Sequence, residues 1–163
     1  MLNKCRKKKN NILGGLIFLI KHIVEGLNDL YETKNPFELC ECLNIKIMRS
    51  NLGSEIKGFF QKSPNGFEII HLNTNLTREE EKYICAHELG HALLHTDMSL
   101  QFFIDNKLQI KNKYEIQADK FAAELLIENT LDKTECAGLN IEQIYSKLCV
   151  PVKLLKYKFN LED

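Results

Sequence analysis

The sequence predicts an α+β domain in which several helices pack against a small sheet of about three strands that includes a hairpin. Three observations carry this expectation. Apolar residues recur at helical spacing in two stretches, Ile20 to Tyr31 and Ala118 to Leu126. A third stretch, Tyr83 to Leu94, is apolar nearly all the way round, as a buried helix is. Between the first and third lie short alternating runs divided by turn residues, the pattern of strands. At 163 residues the chain can build one proper core and has little room for a second.

Lys4, Arg6, Lys7, Lys8 and Lys9 precede an apolar run from Ile12 to Ile20, which mimics the start of a signal peptide. The run is too short to span a bilayer, and Lys21-His22-Ile23-Val24-Glu25 offers no small-residue cleavage site. Ile20, Ile23, Val24, Leu27, Leu30 and Tyr31 instead continue a helical stripe. The expectation is an N-terminal helix with a basic, frayed lead, residues 1–15 forming a partly disordered leader. Asn35-Pro36 caps and opens a short helix over Phe37 to Leu43. Ile45 to Met48 alternates and reads as a strand, and Gly53 to Lys57 as a loop. Gly58 to Gln61, Ser63-Pro64-Asn65-Gly66 and Phe67 to Leu72 form a hairpin signal. Thr77 and Glu80 have the spacing of a capping box at the head of the buried helix.

After His95 the sequence suggests a loop with a short helix through Leu100 to Ile104. A polar, basic surface connection follows over Asp105 to Lys113, and then a strong helix from Tyr114 to Leu126. In the tail, helices from Ile141 to Cys149 and on to about Lys158 flank a break at Val150-Pro151. This pair resembles a helix-turn-helix, yet reads better as a packing subdomain over 136–163, with Lys153, Lys156 and Lys158 on a solvated face. The main domain is expected over 16–135.

Lys plus Arg and Asp plus Glu both number 22, so no overall charge draws the chain to nucleic acid or an anionic membrane. The six cysteines, Cys5, Cys40, Cys42, Cys85, Cys136 and Cys149, lie in apolar helical contexts without paired metal-knuckle spacing. All six read as reduced, which suggests the cytoplasm; export through residues 4–20 is the less favoured alternative.

The chemistry sits in His87-Glu88-Leu89-Gly90-His91. On a helix, residues four apart lie about 5–6 Å from each other at Cβ, so His87 and His91 can hold one ion while Glu88 touches water beside it. A hydrolytic zinc site needs a third protein ligand and one open position. The arrangement with a Gly and a third His downstream would need those residues at Leu94 and Asp97, and is excluded. A carboxylate from a later helix remains, with Glu115 the best candidate and Glu124 and Glu128 weaker ones. Asp119, one turn after Glu115, could accept a hydrogen bond from the far nitrogen of a ligand histidine.

Ala86-His87-Glu88-Leu89-Gly90-His91-Ala92-Leu93-Leu94-His95, followed by Glu115-Ile116-Gln117-Ala118-Asp119-Lys120-Phe121-Ala122, resembles the ImmA/IrrE family of metallopeptidases. The likeness spans roughly residues 16 to 160. It implies a zincin-like fold and a thermolysin-like site with His87, His91 and Glu115 as ligands of one Zn2+ and Glu88 as catalytic base. It also implies a substrate, the helix-turn-helix repressor of a prophage, other mobile element or stress regulon, cleaved so that repression is relieved. The chain's length makes it closer to the ImmA type. Zinc is a preference, since other divalent ions fit the same ligands. A donor to the oxyanion is expected from among His95, His71, Tyr83 and Tyr114, and the strand Phe67 to Leu72 could lend its edge to an extended substrate. The alternative is a non-catalytic protein of the same fold that docks to a repressor, as an anti-repressor or toxin–antitoxin partner, over a structural metal site.

Overall fold

The computed structural model describes residues 2–95, 108–127, 143–144 and 150–159. Helix α1 runs over Leu2–Tyr31. It begins well before residue 16, so the basic segment expected to be a partly disordered leader has helical backbone; Lys and Arg are good helix formers and charge alone does not end a helix. Ile20 and Val24 are buried in the core.

Helix α2, Pro36–Cys42, starts where Asn35 Oδ1 accepts the Phe37 amide at 3.1 Å. It ends in a Schellman turn: the Asn44 amide donates to Glu41 O and the Ile45 amide to Cys40 O, with Asn44 at φ 58°. That reversal launches the first strand.

Strands β1 (Lys46–Ser50), β2 (Gly58–Lys62) and β3 (Glu68–Asn73) form a sheet in the order β1-β3-β2. The expected hairpin is β2–β3, antiparallel around a turn in which Gly66 takes φ 83°. β1 pairs parallel with β3. β3 is therefore central and both its edges are occupied, so it cannot lend an edge to a substrate. Among the described strands, the outer edge on this side belongs to β2. Amide bonds from Asn73 to Lys57 O and from Ser63 to Phe67 O set the bonded pairs at odd positions of the β2 strand. By the antiparallel alternation, the backbone groups of Gly58, Phe60 and Lys62 turn away from β3.

Helix α3, Arg78–Leu94, opens with the capping box in full: Glu80 N–H donates to Thr77 Oγ1 and Thr77 N–H to Glu80 Oε2. Tyr83 through Gly90 are all buried, since the sheet's inner residues Ile70 and Leu72 cover one side and the next helix the other. That next helix, α4, covers Leu108–Leu126. It starts about two turns earlier than the sequence suggests, because its first turns carry no apolar stripe; Asn112 and Lys113 are exposed. Helix α5, Val152–Phe159, buries Leu154 and Leu155 and packs on α4. The Lys158 side chain is buried in an ion pair with Glu124, so it leaves the solvated face expected, because α4 supplies a carboxylate that draws it inward. Lys153 stays 49% exposed, as expected, while its ammonium reaches Asp119.

The expected helix at 100–104 lies outside the described residues, and of that at 141–149 only Gln143 and Ile144 are described, both helical. Among the described side chains, Cys40, Cys42 and Cys85 are free thiols. No helix among the described residues is long and apolar enough to cross a membrane.

Two glycines set the spacing around α3. At Gly58 a Cβ would come within 2.6 Å of Ile84 Cγ2 and 2.8 Å of the His71 carbonyl, which lets β2 lie tight against the helix. At Gly90, between the two histidines, a Cβ would meet Ala118 Cα at 3.1 Å and Ala118 O at 3.2 Å. The neighbour is α4 backbone, which cannot rotate out of the way. Gly90→Val is expected to lower stability by about 1–3 kcal/mol by overpacking. Chemical denaturation checks this, and an unchanged midpoint would contradict the packing described.

Candidate metal centre

Helix periodicity alone puts His87 and His91 one turn apart on α3, and the close α3–α4 approach at Gly90 brings Glu115 over them. His87 Nε2 lies 3.2 Å from His91 Nε2. Glu115 faces both, with Oε2 3.3 Å from His87 Nε2 and Oε1 3.8 Å from His91 Nε2. One donor atom from each of the three residues lies within 4.8 Å of the others. Two imidazole nitrogens and a carboxylate converging on one point are a donor set that fits a divalent ion. Glu124, paired with Lys158, is elsewhere, and Glu128 lies outside the described residues.

Asp119 holds His87 in place. Its Oδ1 is 2.9 Å from His87 Nδ1 and accepts the Tyr83 hydroxyl at 2.9 Å, while Oδ2 takes Lys153 Nζ at 3.0 Å. Burial opposes ionisation of Asp119, but the bonds from His87 and Lys153 outweigh it and keep the carboxyl below its usual range. Burial then pushes the Tyr83 phenol up, reinforced by Asp119, so its proton stays on this bond. On the other histidine, His91 Nδ1 lies 3.1 Å from His95 Nδ1, and His95 Nε2 lies 2.8 Å from Gln117 Oε1.

Glu88 is 8% exposed and lies where α3 packs against β2, with the Phe60 backbone favouring its charged form. Burial raises its pKa; the neighbouring imidazoles oppose this and Glu115 adds to it. Such a carboxylate can both accept and return a proton. Glu115 is held well below the carboxylate range, chiefly by bonds from His87 and His91.

Of the other residues singled out in the sequence, His95 is buried with both ring nitrogens engaged, and Tyr83 is committed to Asp119. His71 does not join the cluster. Ile70 and Leu72 face α3, so His71 turns to the opposite face of the sheet, stacked on Phe59 and bonded to Gln61. Tyr114 packs edge-on against the His95 ring with centroids 4.7 Å apart. Sequence reading missed Gln117 and Lys153. Gln117 is flagged by standing inside the second motif, two residues from Glu115; Lys153 carries no local signal, since its role depends on how α5 docks.

His87 links this geometry to pH. Burial favours its neutral form, but the bonds to Asp119 and Glu115 outweigh that and raise its pKa to about 9. Below that pH the metal-free protein carries a proton on His87 that an ion must displace. Near neutral pH, uptake is therefore expected to release about one proton per ion, with affinity rising as pH approaches that value. Titration calorimetry in buffers of different ionisation enthalpy measures this; an apparent enthalpy independent of buffer would contradict it.

Comparison with known proteins adds four findings. The family described as the IrrE N-terminal-like domain, a peptidase family, matches residues 40–138. An uncharacterized immunity region protein 2 of Bacillus phage phi105 is 40% identical over 109 residues, covering 67% of this chain and 68% of that protein. Metallopeptidase ImmA of Bacillus subtilis (strain 168) is 31% identical over 146 residues, covering 86% and 84%. Among solved structures, a Mycobacterium tuberculosis transcriptional regulator matches in fold with TM-score 0.59 and 13% identity. That match covers 94% of this chain and 49% of the other, so the chain spans about half the length of that structure.

Proposed function

Since the chain belongs to the ImmA/IrrE family, whose IrrE N-terminal-like domain it carries, we propose that it is a zinc-dependent endopeptidase that cleaves a helix-turn-helix repressor of a mobile element or stress regulon and so relieves repression. The observation that carries this reading is the convergence of His87, His91 and Glu115 with Glu88 buried beside them. The names of the two relatives, a metallopeptidase and a phage immunity region protein, support the choice of a repressor. Such a substrate is met in the cytoplasm.

His87, His91 and Glu115 would hold the ion in a thermolysin-like set on a zincin-like fold. A divalent ion bound there supplies Lewis-acid chemistry, acidifying water and polarising the scissile carbonyl. Glu88 takes the proton of the attacking water and returns it to the departing amine, roles that its raised pKa suits. An extended stretch of substrate pairs with the outer edge of β2, near Glu88. Edge pairing favours an unfolded linker over a folded helix, because only an extended backbone can complete the ladder. Residues 16–135 act as the peptidase domain and 136–163 as a two-helix subdomain that steadies it, Lys153 of α5 bonding Asp119. A purely docking role has less support, since nothing in the four site residues is missing.

The test is to incubate the zinc-loaded protein with the helix-turn-helix repressors of mobile elements in its own genome and map the fragments by mass spectrometry. One cleavage that a chelator abolishes is the expected result. A repressor left intact at equimolar zinc-loaded protein would refute the proposal.

A further inference from the structure

His95 belongs to the first motif, yet the hydrolytic scheme above gives it nothing to do. Its surroundings give it one. His95 is buried, and its two ring nitrogens meet two partners: Nε2 faces Gln117 Oε1 at 2.8 Å and Nδ1 faces His91 Nδ1 at 3.1 Å. Building on the metal-centre reading above, we propose that Gln117 and His95 are positioning residues that fix the tautomer of His91, so that its Nε2 lone pair faces the ion.

The proton count leaves one arrangement. A carboxamide oxygen only accepts, so His95 must carry its proton on Nε2. Neutral His95 then has a bare Nδ1, which can only accept, and the proton between the two rings belongs to His91 Nδ1. In the neutral ring, His91 Nε2 is then bare and points at His87 Nε2, 3.2 Å away, and at Glu115. Reversing the Gln117 amide would invert the chain and put a proton on His91 Nε2, where it would block a metal. The two ligand histidines are thus oriented differently, His87 by Asp119 directly and His91 by Gln117 through an intervening imidazole. Both supports come from α4, which also carries Glu115. The edge-on Tyr114 ring and the burial of Gln117 hold the His95 ring in its slot.

Two measurements test this. In the metal-free wild type with 15N-labelled histidine, two-bond proton–nitrogen correlations are expected to show His91 protonated at Nδ1 and His95 at Nε2. Zinc competition against a chromogenic chelator is expected to give a loss of about 10–100-fold for Gln117→Leu, as for other groups that orient a ligand. Gln117→Glu, which keeps the acceptor, restores most of the affinity. A His91 protonated at Nε2, or a folded Gln117→Leu that binds zinc as the wild type does, overturns the relay while leaving the metal centre standing. A wild type that takes up no zinc overturns the metal centre and the relay with it.

Discussion

Glu88→Gln is expected to lower the rate of repressor cleavage by about 10²–10⁴-fold while the protein still folds and binds one zinc. The amide has nearly the shape of the carboxylate, so it fits the same buried position. Glu88 is not among the three converging ligands, so the metal set is unaltered. What disappears is the capacity to take a proton from water and hand it to the leaving amine. Burial makes the loss severe, because at 8% exposure no solvent base can substitute freely. Cleavage rate and metal content must be measured on the same preparation. Wild-type cleavage by a metal-loaded Gln variant would end the proposed role of Glu88. A repressor relieved equally well by both proteins, with no cut, would transfer the case to docking.

The second large effect is expected at Glu115. Glu115→Gln should weaken zinc binding by more than about 100-fold, since losing even an orienting partner costs about 10–100-fold and Glu115 supplies a ligand atom itself. The substitution removes the negative charge that both imidazoles face at 3.3 and 3.8 Å. The same variant should stay folded, because the Glu115 side chain is 42% exposed and packs little of the core. Competition with a chelator of known affinity, with circular dichroism as a check on folding, reads both results. Zinc affinity within tenfold of the wild type would mean that the third ligand is another residue.

The helix around His87 was legible because every signal for it is local. A capping box, an all-round apolar run and a four-residue spacing need only the chain within a few turns. The hairpin was legible for the same reason, Gly66 marking its turn. Element starts without a core-facing stripe were not: α4 begins at Leu108 because helix propensity continues where periodicity has faded. The choice of substrate-binding edge failed differently. Alternation identifies a strand, but whether its edges are free depends on β1 arriving parallel on the far side of β3.

By itself, then, the sequence pointed to the α+β content, to His87 and His91 with Glu88 between them as a candidate metal site, and to Glu115 and Asp119 as carboxylates that could complete it. Each rests on local spacing, within one helix or one strand. The tertiary structure decided everything that spans two elements: Glu115 over the histidines, Asp119 on His87, Gln117 on His95, Lys153 reaching in from α5, and β2 as the open edge. These contacts join residues distant in the chain, and those between α3 and α4 rely on Gly90, where the backbone of one helix approaches that of the other.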